Sequence, residues 1–187
     1  MEMRILVWLS VLFGVSELIL TFIKRSDSGK VEKRNDKGSF YLLWLAITVG
    51  ITAAFFFAHR KDWSELNKLV WLLGILIYVL GLIIRWLSIL QLRGGFTVDV
   101  VVSSGHKLKT DGIYSRVRHP SYLGILLILT GLTVAMNSIF SVILAVVPVF
   151  VALAYRINVE EKLLSESFRE EYLDYMKRTR RLLPFIY

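Results

Sequence analysis

The chain has 187 residues, no cysteine, a formal net charge of +8 and 55% hydrophobic residues, with a mean hydropathy of +0.58. A soluble domain is about 45–50% apolar, whereas here the excess is gathered into blocks close to the ~20 residues of a bilayer-spanning helix. The lack of cysteine excludes disulfides, thiolate metal sites and a cysteine nucleophile. Cations that flank apolar blocks, instead of interleaving with aromatics on a soluble face, point to an anionic lipid surface and not to nucleic acid.

Residues 5–23 form the first expected span, interrupted by Glu17. The leader MEMR is weakly charged and no small-x-small site follows, so this reads as a retained helix and not a cleaved signal. Residues 24–39 are a polar loop with six Lys or Arg, three acids and no core-forming pattern. Residues 40–58 make the second span and 59–67 a short wet loop. Residues 69–92 make the third span, with Arg85 in its second half. Gly94-Gly95 ends it, and FTVDVVV at 96–102 is β-branched and extended in character.

Residues 105–124, GHKLKTDGIYSRVRHPSYLG, are too polar and too rich in glycine to be explained by a bilayer. Such backbone is tolerated near a membrane only where protein or a watery cavity satisfies it. Pro120 suits the first turn of a helix, so the fourth helix is expected from about His119 to Met136. Asn137-Ser138 is a tight hairpin and 139–155 the fifth span. From Arg156 the same helix is expected to continue out of the membrane as an amphipathic segment, with Leu163, Leu164, Phe168, Tyr172 and Tyr175 at helical spacing, closed by Pro184. The expected fold is an all-α integral membrane protein of about five transmembrane helices. It is one domain over 1–187, with three N-terminal spans in 1–92 and the functional half in 93–187.

Cation counts set the expected orientation. The loop after the first span, the region 93–118 and the tail from Arg156 carry eighteen Lys or Arg, against four on the other side. The N-terminus is therefore expected outside and the C-terminus in the cytosol, which brings the loop at 105–124 and the tail to one cytosolic face. Glu17 and Arg85 lie at similar depth, roughly 9–10 Å inside helices of the same direction, and are expected to pair.

No single residue of the polar stretch is specific. Arg116 and Arg118 read as positive-inside charges, Tyr114 and Tyr122 as belt residues, Gly112 and Gly124 as a turn glycine and a close helix contact. His106 and His119 do not make a metal site, because the third histidine, His59, is expected on the opposite face and three or four ligands are needed. Arg156 and Glu160 share a helix face, by default an ordinary ion pair. The ordered combination is specific: G-H-x-L, then G-x-Y, then R-H-P-S-Y-x-G, then R-x-x-x-E-E from Arg156 to Glu161, then FREEYLDYMKRTRRLLPFI.

These blocks resemble the isoprenylcysteine carboxyl methyltransferases, whose broader pattern the phospholipid methyltransferases share. The resemblance covers residues 93–187. It implies a membrane enzyme that transfers a methyl group from S-adenosylmethionine, held in a cytosolic pocket formed by the loop and the C-terminal helix, to a lipid-like acceptor reaching it from the bilayer. It further implies that His106, Lys107, Leu108, Lys109, Tyr114, His119, Pro120, Ser121 and Tyr122 line the cofactor pocket. Glu160 would bind the cofactor and Arg156 the acceptor, the two carrying the catalysis. Where these enzymes often have a glutamine cofactor contact, seven residues before the first histidine, this chain has Asp99.

The residue types suit that reaction. S-adenosylmethionine presents a sulfonium, an amine, a carboxylate and an adenine, which call for an acid, donors and flat side chains; Glu160, His119 with the arginines, and the tyrosines supply these. A carboxylate acceptor is ionised at neutral pH and needs no general base, so the task is proximity and water exclusion. Two other readings stand beside it: a phospholipid amine N-methyltransferase, and a non-catalytic membrane module that binds lipid or a partner.

Overall fold

A computed structural model describes residues 2–23, 31–34, 38–59, 67–92, 101–103 and 108–183. Five helices dominate it: α1 (Glu2–Ile23), α2 (Ser39–His59), α3 (Lys68–Leu92), α4 (Pro120–Ala135) and α5 (Ile139–Arg178). Two short strands, β1 (Val31–Arg34) and β2 (Val101–Ser103), and a 3-10 turn at Gly112–Ser115 complete the described elements. α1, α2, α3 and α5 are long and apolar enough to cross a membrane, and α4 is a shorter apolar helix. At ~1.5 Å per residue α4 rises about 24 Å, somewhat less than the ~30 Å hydrocarbon core.

The long helices expose one apolar face, with Trp8, Leu12, Leu45, Leu76, Leu90 and Val151 all open, as lipid-facing residues are. α4 does not. Ile128, Leu129 and Leu132 are fully enclosed, and the helix packs mainly on α3 and α5, while α2 packs on α5. An apolar helix without a polar face is expected in such a central place.

Small residues let α3 and α4 approach. A Cβ on Gly81 would stand 2.6 Å from the Ile128 backbone nitrogen, and one on Gly124 would stand 2.8 Å from Arg85. Gly74 meets Ala135 and Gly131 meets Tyr78 in the same way. In lipid, where apolar side chains gain little by leaving the solvent, close backbone packing of this kind is a main source of helix association. The turn between α4 and α5 is as tight as expected. Asn137 takes a left-handed φ of 51°, which its short polar side chain tolerates, and Ser138 Oγ accepts the Ser141 N–H at 3.3 Å to cap α5.

The expected intramembrane pair forms. Arg85 Nε donates to Glu17 Oε1 at 2.9 Å and Arg85 Nη2 to Glu17 Oε2 at 2.7 Å. The side chains are 6% and 8% exposed.

Two expectations need correction. The loop at 24–39 contains a strand: β1 pairs antiparallel with β2, Arg34 opposite Val101 and Val31 opposite Ser103. Strand pairing is made by backbone groups, so VEKR carries little side-chain signal for it. The C-terminal helix is also not continuous to Pro184, which lies outside the described residues. Its backbone leaves the helical region at Arg169 (φ 46°, ψ −121°), and α5 stops at Arg178 before an extended Thr179 (φ −128°, ψ 162°). Beyond it the chain pairs with another segment: Arg180 N donates to Arg116 O at 3.0 Å, and Arg118 N to Arg180 O at 2.8 Å. Those bonds compete with helix for residues 179–181.

Candidate active site

The same pairing builds the site. Val117 and Arg180 form a parallel bridge, and His119 N donates to Arg181 O at 3.0 Å. The tail thus fixes the residues leading into α4. Pro120 occupies the first turn of that helix and His119 caps it, outside helical geometry, so the imidazole stands at the mouth of the helix. Tyr122 follows on the first turn, and its ring stacks on that of His119 at 5.5 Å and 10°.

α5 supplies the charges. Arg156 Nε donates to Tyr122 Oη at 2.9 Å, and Tyr122 in turn donates to Glu160 Oε2 at 2.7 Å. One phenol therefore links the guanidinium and the carboxylate that sequence spacing placed on one face. Arg156 is buried and also donates to Ser39 Oγ at 3.0 Å, at the start of α2. Its guanidinium carbon lies 5.9 Å from the Tyr122 ring centre.

Glu161, one residue on, faces the tail. It accepts Arg118 Nε at 2.8 Å and Arg181 Nε at 3.0 Å, and Arg181 Nη2 comes to 2.7 Å. Arg118 also donates to the Thr179 carbonyl at 2.7 Å and the Met176 carbonyl at 3.3 Å. Two carboxylates flank the His119 ring, Glu160 at 3.7 Å from Nδ1 and Glu161 at 3.4 Å from Nε2. The second approach lacks hydrogen-bond geometry, so Nε2 is a buried ring nitrogen with no hydrogen-bond partner.

Of the residues expected at the site, His119, Tyr122, Arg156 and Glu160 come together. Pro120 is buried beneath them. Ser121 points elsewhere, its hydroxyl accepting from Arg85 Nη1. Tyr114 is buried with its hydroxyl donating to the Ser88 carbonyl at 3.2 Å, and its own carbonyl accepts from Tyr175 at 2.6 Å. Burial, reinforced by the nearby Glu160 charge, pushes the Tyr114 phenol well above its ordinary range, so it serves as a neutral donor. Gly112 in that turn has φ 61°, and Gln91 Oε1 packs against it while accepting Ile113 N–H at 3.0 Å. Leu108 is half-buried and Lys109 pairs with Asp111 at 2.8 Å. His106, Lys107 and Asp99 lie outside the described residues.

Sequence reading held Glu161 only as the end of the R-x-x-x-E-E block and Arg118 only among the arginines beside His119, and it missed Arg181, Thr179 and Ser39 as members of the assembly. Arg118 and Arg181 were indistinguishable from topology-setting charges. The adjacent Glu160-Glu161 pair was the available signal, since two neighbouring carboxylates at a membrane exit both call for partners.

Comparison with known proteins adds an independent line. The isoprenylcysteine carboxyl methyltransferase family matches residues 72–166. The chain is 34% identical over 134 residues to protein-S-isoprenylcysteine O-methyltransferase B of Arabidopsis thaliana, covering 71% of this chain and 66% of that protein. It is 33% identical over 183 residues to the protein-S-isoprenylcysteine O-methyltransferase of Rattus norvegicus, covering 94% of this chain and 62% of the rat protein. Among solved structures it resembles the eukaryotic intramembrane Ras methyltransferase, an isoprenylcysteine carboxyl methyltransferase, with a TM-score of 0.66 and 25% identity over 76% of this chain and 52% of that one. The chain thus spans less than two thirds of the length of these relatives.

Proposed function

The chain belongs to the isoprenylcysteine carboxyl methyltransferase family, and from that premise we propose that it transfers a methyl group from S-adenosylmethionine to the carboxylate of an isoprenylcysteine or similar lipid-like acceptor. The observation that carries this reading is the Arg156–Tyr122–Glu160 chain of hydrogen bonds. A buried guanidinium and a half-buried carboxylate are held on either side of one phenol, as an anionic acceptor and a cationic donor would require.

S-adenosylmethionine, when bound, supplies a methyl carbon already activated by its positive sulfur. The chain's residues fit such a group. Glu160 offers a carboxylate to its cationic part, the His119 and Tyr122 rings offer flat faces, and the buried His119 Nε2, which makes no hydrogen bond although Glu161 lies 3.4 Å away, offers one polar contact. Tyr114 and Ser121 support these residues from behind, through α3 and the tail. Arg156 holds the acceptor: its fork matches two carboxylate oxygens and stays charged at any relevant pH. No side chain has to remove a proton, because the acceptor is already ionised. Burial of Arg156 and His119 keeps water from the reacting atoms. The same buried guanidinium opposes a protonated amine, so a phospholipid amine suits this site less well.

The active site faces the cytosol in this reading and the N-terminus lies outside, on the strength of the cation distribution. Substrates are lipidated molecules that reach the site from the bilayer, next to an anionic lipid surface.

Calorimetric titration with S-adenosylmethionine tests the division of labour. Glu160→Ala and His119→Ala should each weaken binding, while Arg156→Ala should bind nearly as wild type and fail to transfer. Unchanged binding in the first two variants would place the cofactor elsewhere.

A further inference from the structure

The ion pair inside the membrane does more than satisfy two buried charges. Arg85 and Glu17 lie seven and six residues before the ends of their helices, roughly 9–10 Å deep at ~1.5 Å per residue. Charges at that depth are rare and need partners, and a mutually satisfied pair would need nothing more. Arg85 nevertheless has a third engagement. With Nε and Nη2 committed to the two oxygens of Glu17, Nη1 donates to Ser121 Oγ and approaches the Ser121 carbonyl at 3.5 Å.

Ser121 is the second residue of α4. It stands next to Tyr122, which joins Arg156 to Glu160, and two residues after His119. The helix contact beneath it is closed as well, since Gly124 lies directly against the Arg85 backbone. A bare cation would be unfavourable at a helix N-terminus, which carries the positive end of the helix dipole. Glu17 neutralises it, so Arg85 keeps its donor while the charge is cancelled. α1 also meets the bundle through apolar side chains and through the Tyr78 hydroxyl, which donates to the Leu9 carbonyl at 2.9 Å.

We propose that Glu17 and Arg85 form a charge-neutral strut that sets the position of the first turn of α4, making Arg85 a positioning residue for Tyr122 and His119. This rests on the assignment of the cofactor to His119, Tyr122 and Glu160. The strut ties α1 to the site without touching either substrate, and its working end is the hydrogen bond to Ser121.

A double-mutant cycle tests it on purified protein in lipid nanodiscs, with binding of S-adenosylhomocysteine by calorimetry and thermal unfolding as the two readouts. Arg85→Gln and Ser121→Ala should each weaken binding about tenfold, the scale of one lost buried hydrogen bond. The double variant should be no weaker than either, because both remove the same link. Ser121 acting on the ligand by itself, with Arg85 only structural, would instead multiply the two losses and overturn the proposal. Glu17→Gln should lower the unfolding temperature much less in the Arg85→Gln background than in wild type; equal losses in both backgrounds would also overturn it. Wild-type protein that fails to bind S-adenosylhomocysteine would refute the cofactor assignment instead. The strut would then be decided by unfolding alone, where additive losses for Arg85→Gln and Ser121→Ala would overturn it.

Discussion

Glu161→Gln isolates what holds the C-terminal tail against the site. The carboxylate accepts from Arg118 and Arg181, and its side chain is 7% exposed against 9% for Arg118 and 30% for Arg181. Removing one partner of a buried ion pair costs about 3–5 kcal/mol, because the other charge is left uncompensated. Arg181 is open enough to recover hydration, so the loss falls mainly on Arg118, which keeps its bonds to the Thr179 and Met176 carbonyls. The low end of that range, about 3 kcal/mol, is the expected cost. At about 2–4 °C per kcal/mol for a chain of this size, the unfolding midpoint should fall by about 6–12 °C. Tryptophan fluorescence of protein in nanodiscs, followed during heating, reads this directly. Adding Arg118→Met should recover part of the loss, since no buried cation then lacks its counter-charge. A midpoint within about 1 °C of wild type for Glu161→Gln, or a double variant losing the sum of both single losses, would refute the reasoning.

The helix seam makes a sharper steric prediction. Gly81→Ala should lower stability by about 1–3 kcal/mol through overpacking, whereas Gly14→Ala, whose Cβ would meet nothing within 4 Å, should be neutral or slightly stabilising; parallel melting curves compare them. Turnover should stay nearly flat from about pH 6 to pH 9, because an acceptor carboxylate does not titrate there, and Arg156→Lys should retain only part of the activity because a point charge lacks the fork. A rate that climbs across that range would signal an amine acceptor. Since the chain has no cysteine, single cysteines at Ser28, Ser64 and Lys177 report topology. The first and third should react from the cytosolic side and Ser64 from the other; the reverse pattern would invert the orientation, and a shared side for Ser64 and Lys177 would refute the topology.

The helices were legible because lipid imposes a simple rule: apolar runs of spanning length, ended by glycines, cations or a capping serine. The Glu17–Arg85 pair was legible for the same reason, since a charge at depth demands a partner and helix rise gives its height. Arg156, Tyr122, Glu160 and His119 stood out through the spacing of a recognisable motif, and the structure brings those four together. What stayed hidden depends on pairing between distant segments. The Val117–Arg180 bridge and the β1–β2 ladder are backbone associations that side chains barely encode. The Gly74, Gly81, Gly124 and Gly131 seam was visible only in part, because a glycine spaced along an apolar helix does not announce which helix it meets. The interposition of Tyr122 between Arg156 and Glu160 was likewise invisible, since spacing along α5 says nothing of a side chain arriving from α4.

Carboxyl methylation is tested most directly by incubating the purified protein with methyl-labelled S-adenosylmethionine and a farnesylated cysteine bearing a free carboxylate, then treating the product with alkali. A methyl ester hydrolyses under those conditions and releases its label as volatile methanol, whereas a methyl group on nitrogen stays where it is. Label that depends on the farnesylated acceptor, is volatilised by alkali and disappears with Arg156→Ala is the predicted result. The contradicting result is no transfer to that acceptor, or transfer that Arg156→Ala leaves intact.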